Sequence, residues 1–239
     1  MSLLTDVTVV LLICHFLGDF HFQSEKMAER KLKLNKPLIA HFGIHLATLI
    51  VSNIFVFGWT GITQMTGLIV SVWLSHCVID FIKYCIESNS KYTFSQEVIY
   101  IVDQMLHIGW ILLVSEGIFQ PSVDLLFLNR QLINWLLLIT LITKPANISF
   151  KVVFQKYQFN IKSPTIPGAG AVIGNLERIL SAIFLAMNQI SAIGFIYTAK
   201  SIARFKEIEQ NKAFAEYYLI GTLFSILYVV IAYYIIIII

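Results

Sequence analysis

Long apolar runs, separated by short polar stretches, set the rhythm of the chain. Runs near the 20 or so residues that a helix needs to cross the hydrocarbon core of a bilayer occur at roughly 4–22, 38–57, 61–82, 97–115, 125–143, 171–199 and 214–239. The fifth is interrupted in its first half by Asn129, Arg130, Gln131 and Asn134, so it reads either as a span or as a short buried or interfacial helix. Residues 144–170, with Pro145, Pro164 and Pro167, read as a polar loop. The pattern predicts an all-α protein, a polytopic membrane bundle of six or seven transmembrane helices. Residues 1–115 would form a four-helix unit and 116–239 the remaining helices of one integrated membrane domain.

Composition agrees with the periodicity. The 239 residues are 57% hydrophobic and 13% charged, about half the charged share of an ordinary soluble domain. No basic residue precedes the first apolar run, so that run is expected to stay in the protein rather than act as a cleaved leader. The three cysteines, Cys14, Cys77 and Cys85, form no CxxC motif and are expected to be packing residues. Net charge is only +3, and nothing points to nucleic acid as a partner. Its distribution says more. Lys26, Arg30, Lys31, Lys33 and Lys36 crowd the loop after the first run, which the positive-inside rule makes cytoplasmic. The expectation is a bacterial cytoplasmic (inner) membrane protein with its N-terminus outside. Lys83 and Lys91 after the third run agree, whereas the basic stretches at 144–162 and 200–212 leave the later orientation open.

The polar residues inside the apolar runs carry the candidate chemistry. His15 with Asp19, His41 with His45, His76 with Asp80 and Asp103 with His107 are all spaced i, i+4, which puts each pair on one helix face a turn apart. The chain has six histidines and five aspartates; scattered at random they would give roughly 0.45 such pairs, against four found. The pairs fall alternately at helix ends and helix starts, so in an up-down bundle all eight side chains share one depth, on the side of the basic loop. Ionisable groups in such runs are costly unless they face an interior site. Imidazole with carboxylate suits a divalent metal, zinc foremost, with manganese or iron as the other choices; five histidines and three aspartates suffice for one ion or for two sharing carboxylates. A two-metal centre activates water and clamps a phosphoryl group. The alternative is a buried polar network that only fixes helix packing.

Around this set, Asp103 or Asp80 is a candidate general base, and Gln23 and Gln104 are candidates to orient water or a substrate oxygen. His21, which has no partner at four, reads as an interfacial residue. Glu177-Arg178 lies inside an apolar run, either as a functional pair or as a structural one. Lys83, Arg178, Lys200 and Arg204 are candidates for contact with an anionic lipid or substrate. Gly170 and Gly174 make a small-xxx-small step that admits close helix approach.

The stretch His15-Phe-Leu-Gly18-Asp19-Phe20-His-Phe-Gln23-Ser24, followed by Met27-Ala28 and Lys31, resembles the N-terminal signature of a bacterial membrane family named as domain of unknown function 3307. His76-Cys-Val-Ile-Asp80 with Lys83, and Asp103-Gln104-Met-Leu-His107, resemble its later motifs in order, over residues 8–115 in all. The resemblance implies a functional set of His15, Asp19, Gln23, His76, Asp80, Asp103, Gln104 and His107; His41 and His45 rest on the spacing argument. A looser likeness is to bacterial inner-membrane proteins described as metal-dependent hydrolases.

The expected function is metal-dependent hydrolysis of a phosphorylated or ester-bearing lipidic substrate near the cytoplasmic face, by a protein in contact with membrane lipid and able to form an oligomer. The alternatives are a divalent-cation or proton transporter, and a structural or regulatory membrane protein. The outer halves of the first four runs read as almost wholly apolar, which counts against an ion path through them.

Overall fold

The computed structural model describes residues 4–23, 35–88, 94–121, 123–158, 166 and 168–239. The basic-loop residues Lys26, Arg30, Lys31 and Lys33, the family-motif residues Ser24, Met27 and Ala28, and also Lys91, Pro164 and Pro167, lie outside them. Among the described residues the protein is all helical. Six helices are long and apolar enough to cross a membrane: Lys36–Trp59, Thr66–Ser88, Gln96–Phe119, Arg130–Val153, Ala169–Ala186 and Lys212–Ile238. The chain divides into two compact units, Met1–Leu137 and Leu138–Ile239.

The first unit is built around a short apolar helix that is not one of these six. Helix α1 (Asp6–Phe16) starts at Thr5, whose hydroxyl accepts from the Thr8 N–H at 3.3 Å, and runs on into a π-helical turn, Leu17–His21. Val7, Val9, Val10, Leu11, Leu12, Cys14, His15 and Phe16 are all buried. A helix apolar on every side is one enclosed by its neighbours. Helices α2 (Asn35–Gln64) and α4 (Gln96–Leu112, continued by a π-helical segment, Leu113–Phe119) pack against α1, and α3 (Thr66–Ser88) packs against both of them. α2 is broken at Gly58, whose φ of 72° suits glycine; beside this break the Leu126 N–H donates to the Val56 carbonyl at 2.8 Å.

Each surrounding helix is turned inside out relative to a soluble protein. α2 buries His41, His45, Leu49 and Asn53, a strict four-residue ladder, while exposing Val51 and Phe55. α3 buries Val72, His76 and Asp80 and exposes Leu74, Val78 and Phe81; α4 buries Asp103, His107 and Ile111 and exposes Val102, Met105 and Leu106. Polar groups inside and apolar side chains outside is the arrangement that a lipid solvent selects.

The far half of this unit is less apolar than the sequence reading has it. Thr8, Thr48, Asn53 and Ser115 are buried there, and the Glu116 carboxylate accepts from the Thr5 N–H at 2.8 Å, the Thr5 hydroxyl at 2.9 Å and the Thr8 hydroxyl. A carboxylate at the first turn of α1 also answers the partial positive charge of the helix start. Arg130, in α5 (Arg130–Ile142), donates to Asp6 and to the Leu4 carbonyl. These hydroxyls escaped notice because threonine and serine satisfy themselves on helix carbonyls, as Thr48 does on Ile44 at 2.8 Å.

In the second unit two boundaries move. The polar stretch from 144 begins as helix α6 (Lys144–Val153), with Pro145 at the helix start, where its missing N–H costs nothing. The run at 171–199 is two helices, α7 (Ala169–Ala186) and α8 (Ile190–Ala203). Asn188 between them adopts φ of 57°, and the Gln189 N–H reaches back to the Phe184 carbonyl at 2.8 Å. This is a left-handed helix stop made with asparagine rather than glycine. α9 (Phe205–Gln210) then leads to α10 (Lys212–Tyr233), capped by Asn211.

Candidate metal centre

The eight paired residues meet in the first unit. His15, His41, His45, His76, Asp80, Asp103 and His107 are buried and Asp19 nearly so, with its side chain 10% exposed. His41 Nε2 lies 3.0 Å from His76 Nε2, 3.3 Å from Asp19 Oδ1 and 3.2 Å from Asp80 Oδ2. His76 Nε2 is 3.5 Å from the same Asp19 oxygen and 3.6 Å from the same Asp80 oxygen. Neighbouring ligands on one tetrahedral zinc, with bonds of about 2.0 Å, are separated by about 3.3 Å. The other oxygen of Asp80, Oδ1, faces His107 Nε2 at 3.9 Å. Three overlapping groups result, each with ligand atoms within 4.8 Å of one another: His15, Asp19, His45 and His76; His41, His76 and Asp80; and Asp80, Asp103 and His107.

Hydrogen bonds among these side chains do not account for the arrangement. Both ring nitrogens of His45 are buried without a hydrogen-bond partner, as are His76 Nδ1, His15 Nδ1, His107 Nε2 and Asp19 Oδ1. The His45 ring stacks on that of His76, centroids 3.7 Å apart and planes at 11°. Buried polar atoms are almost always satisfied, so unpartnered atoms concentrated on these rings are compatible with a bound ion.

Other contacts orient the rings. His107 Nδ1 sits 2.8 Å from the Asp103 carbonyl oxygen, so it carries the proton and turns the Nε2 lone pair inward. His15 Nε2 is 3.2 Å from Gln104 Oε1, which likewise leaves Nδ1 facing Asp19 Oδ2 at 3.8 Å. Gln104 also donates to Asp103 Oδ2 at 3.2 Å, and Lys83 donates to the same oxygen at 2.9 Å. Gln104 is thus placed to hold two cluster residues. Lys83 lies within α3 rather than in the loop that follows, and its ammonium is committed to Asp103. Gln23 is half-buried beyond the π-helical turn, and His21 closes that turn. Cys14 is the expected packing residue, whereas Cys77 is half-buried and Cys85 exposed.

One site residue escaped the spacing argument. A Cβ on Gly18 would lie 2.8 Å from His45 Cδ2, so the absent side chain is what lets α1 and α2 bring their pairs together. The signal was present in the motif but carries no chemistry of its own. Gly18→Ala is expected to destabilise the protein by about 1–3 kcal/mol through overpacking, measured as a lowered unfolding midpoint in detergent.

The other polar candidates lie in the second unit. Glu177 and Arg178 do not pair with each other: Glu177 takes Lys200 at 2.7 Å, while Arg178 is held by carbonyl and amide oxygens. Arg204 is 3.6 Å from Glu207.

The fold and this cluster define a class, the polytopic helical membrane protein with a buried histidine–aspartate centre. Within that class the chain belongs to the family described as Protein of unknown function (DUF3307), which matches residues 7–143 and so contains all eight cluster residues. No curated protein and no solved structure matches the chain, and the likeness to metal-dependent hydrolases gains no support from relatives.

Proposed function

We propose that the chain is a membrane-embedded, metal-dependent hydrolase whose cluster holds one or two divalent ions, zinc foremost. The observation that carries this reading is the bridging posture of Asp80, with Oδ2 toward His41 and His76 and Oδ1 toward His107. Carboxylates in that posture join paired ions in hydrolytic centres. His41, His76 and Asp80 would take one ion and Asp80, Asp103 and His107 the second, with His15, Asp19 and His45 gathered about His76 on the other side. The ions would supply Lewis acidity and an activated water. With one Asp103 oxygen held by Lys83 and Gln104, and with Asp80 the most enclosed carboxylate, Asp19 is the carboxylate best placed to exchange protons with solvent.

The substrate we assign is a lipid bearing a phosphate or carboxylic ester. The cluster lies at the membrane end that leads into residues 24–34, which the positive-inside rule makes cytoplasmic, in a bacterial inner membrane with the N-terminus outside. The test is made on the full chain purified in detergent: metal by elemental analysis, then hydrolysis of a panel of phosphate- and carboxyl-ester lipids before and after chelation. Bound metal together with turnover that chelation abolishes supports the reading; absence of metal overturns it.

A second reading, transport of a divalent cation or protons, draws on the buried Thr8, Thr48, Asn53 and Ser115 in the far half of the same unit. Metal-dependent flux into liposomes without turnover of any ester would select it over hydrolysis.

A further inference from the structure

The second unit contains a cavity of about 700 Å³ whose charge is not balanced from within. Lys151, Arg178, Lys200 and Arg204 line it against two carboxylates, Glu177 and Glu207, and both carboxylates are already taken, by Lys200 at 2.7 Å and by Arg204 at 3.6 Å. Arg178 stands apart. It is 3% exposed, yet its guanidinium donates only to neutral acceptors: Asn147 Oδ1 at 2.6 Å, Asn175 Oδ1 at 3.0 Å, Ser225 Oγ at 3.2 Å and the carbonyls of Ile142 and Thr143. Among the described residues no carboxylate lies within 4 Å of it.

A buried cation in an apolar surrounding is costly without a counter-charge. Here the side chain is nonetheless fixed from several directions, and Gly174 makes room for it: a Cβ there would come within 3.2 Å of Arg178 Nη1. Of the Gly170–Gly174 step, Gly174 therefore serves the guanidinium. The remaining wall is apolar and aromatic, with Phe150 and Phe214. The lining also takes in Gly170 at the start of α7 and Arg204, Glu207 and Asn211 in the connection between α8 and α10, so the cavity reaches the helix ends, where head groups lie.

We infer that this cavity is a binding site for a phosphate group, the charges of Arg178 and Lys151, which no lining carboxylate pairs with, supplying the attraction, with the paired Lys200 and Arg204 beside them. Arginine forks suit phosphate oxygens, and the aromatic wall suits the chain of a phospholipid. The site is independent of the metal reading and involves none of the eight clustered residues.

Native mass spectrometry of the full chain in detergent tests it, with short-chain phosphatidylglycerol, the matching diacylglycerol without phosphate, and inorganic phosphate as separate titrants. Phosphatidylglycerol is expected to bind saturably and at least about tenfold more tightly than diacylglycerol, a difference of about 1.4 kcal/mol. Competition by millimolar inorganic phosphate would identify the free anion as sufficient; its failure would identify the lipid as the source. Arg178→Gln is expected to remove binding. Because that change touches a buried network, Gly170→Leu serves as the blocking variant: no atom lies within 4 Å of a Cβ at Gly170, and leucine favours the helix more than glycine does. Absence of binding by both phosphate-bearing titrants, equal binding of diacylglycerol, or phosphatidylglycerol binding unchanged in Gly170→Leu overturns the assignment.

Discussion

Replacing His76 with alanine is expected to remove the metal proposed for the cluster, to below about half an equivalent under conditions where the wild type is expected to keep one or two. Loss of a direct ligand costs more than the 10- to 100-fold in affinity typical of a change in a residue that only supports a ligand. His76 is the residue to choose because its Nε2 lies within 3.6 Å of His41, Asp19 and Asp80 and its ring supports that of His45. Elemental analysis of the two purified proteins, with the helical circular-dichroism signal as a control for folding, gives the answer. Metal content equal in both would place any ion away from this cluster. Little metal in either would leave the histidines as a packing network and remove the basis for hydrolysis.

Lys83→Met is expected to destabilise the first unit by about 3 kcal/mol, the lower end of what stranding one partner of a buried ion pair costs. The lower end applies because Lys83 keeps 30% of its side chain exposed while Asp103 keeps 6%. Adding Asp103→Leu to Lys83→Met should recover most of the loss, since the stranded charge goes with its partner. The comparison is a double-mutant cycle on unfolding midpoints in detergent. A single variant as stable as the wild type would mean that the pair does not form. If the double variant is stable but retains metal poorly, the role of Asp103 beside His107 is separated from its role as the counter-ion of Lys83.

The cluster was legible because two periodicities coincide on it. A four-residue spacing fixes the face of a helix, the alternation of run ends with run starts fixes the depth, and neither needs knowledge of which helix touches which. Gln104 was legible as a candidate to orient water or substrate but not as a bridge from His15 to Asp103, because that contact depends on α1 lying beside α4. Gly18 was invisible for the opposite reason, since what matters there is an atom that is missing. In the second unit the run at 171–199 hid a helix stop, because Met187-Asn188-Gln189 contains neither glycine nor proline, the usual punctuation. α6 hid behind its lysines and Asn147, although Pro145 marks a helix start as readily as it marks a loop.

The enclosure of α1 carries a consequence for how the protein is made. This helix precedes α2, α3 and α4 in the chain, yet His15 and Asp19 find partners on those three helices, and Thr5 and Thr8 reach Glu116, more than a hundred residues downstream. Until the fourth helix emerges, the nascent chain must shelter two ionisable groups that no lipid will accept. α1 is therefore expected to settle into the first unit only once α4 has been made.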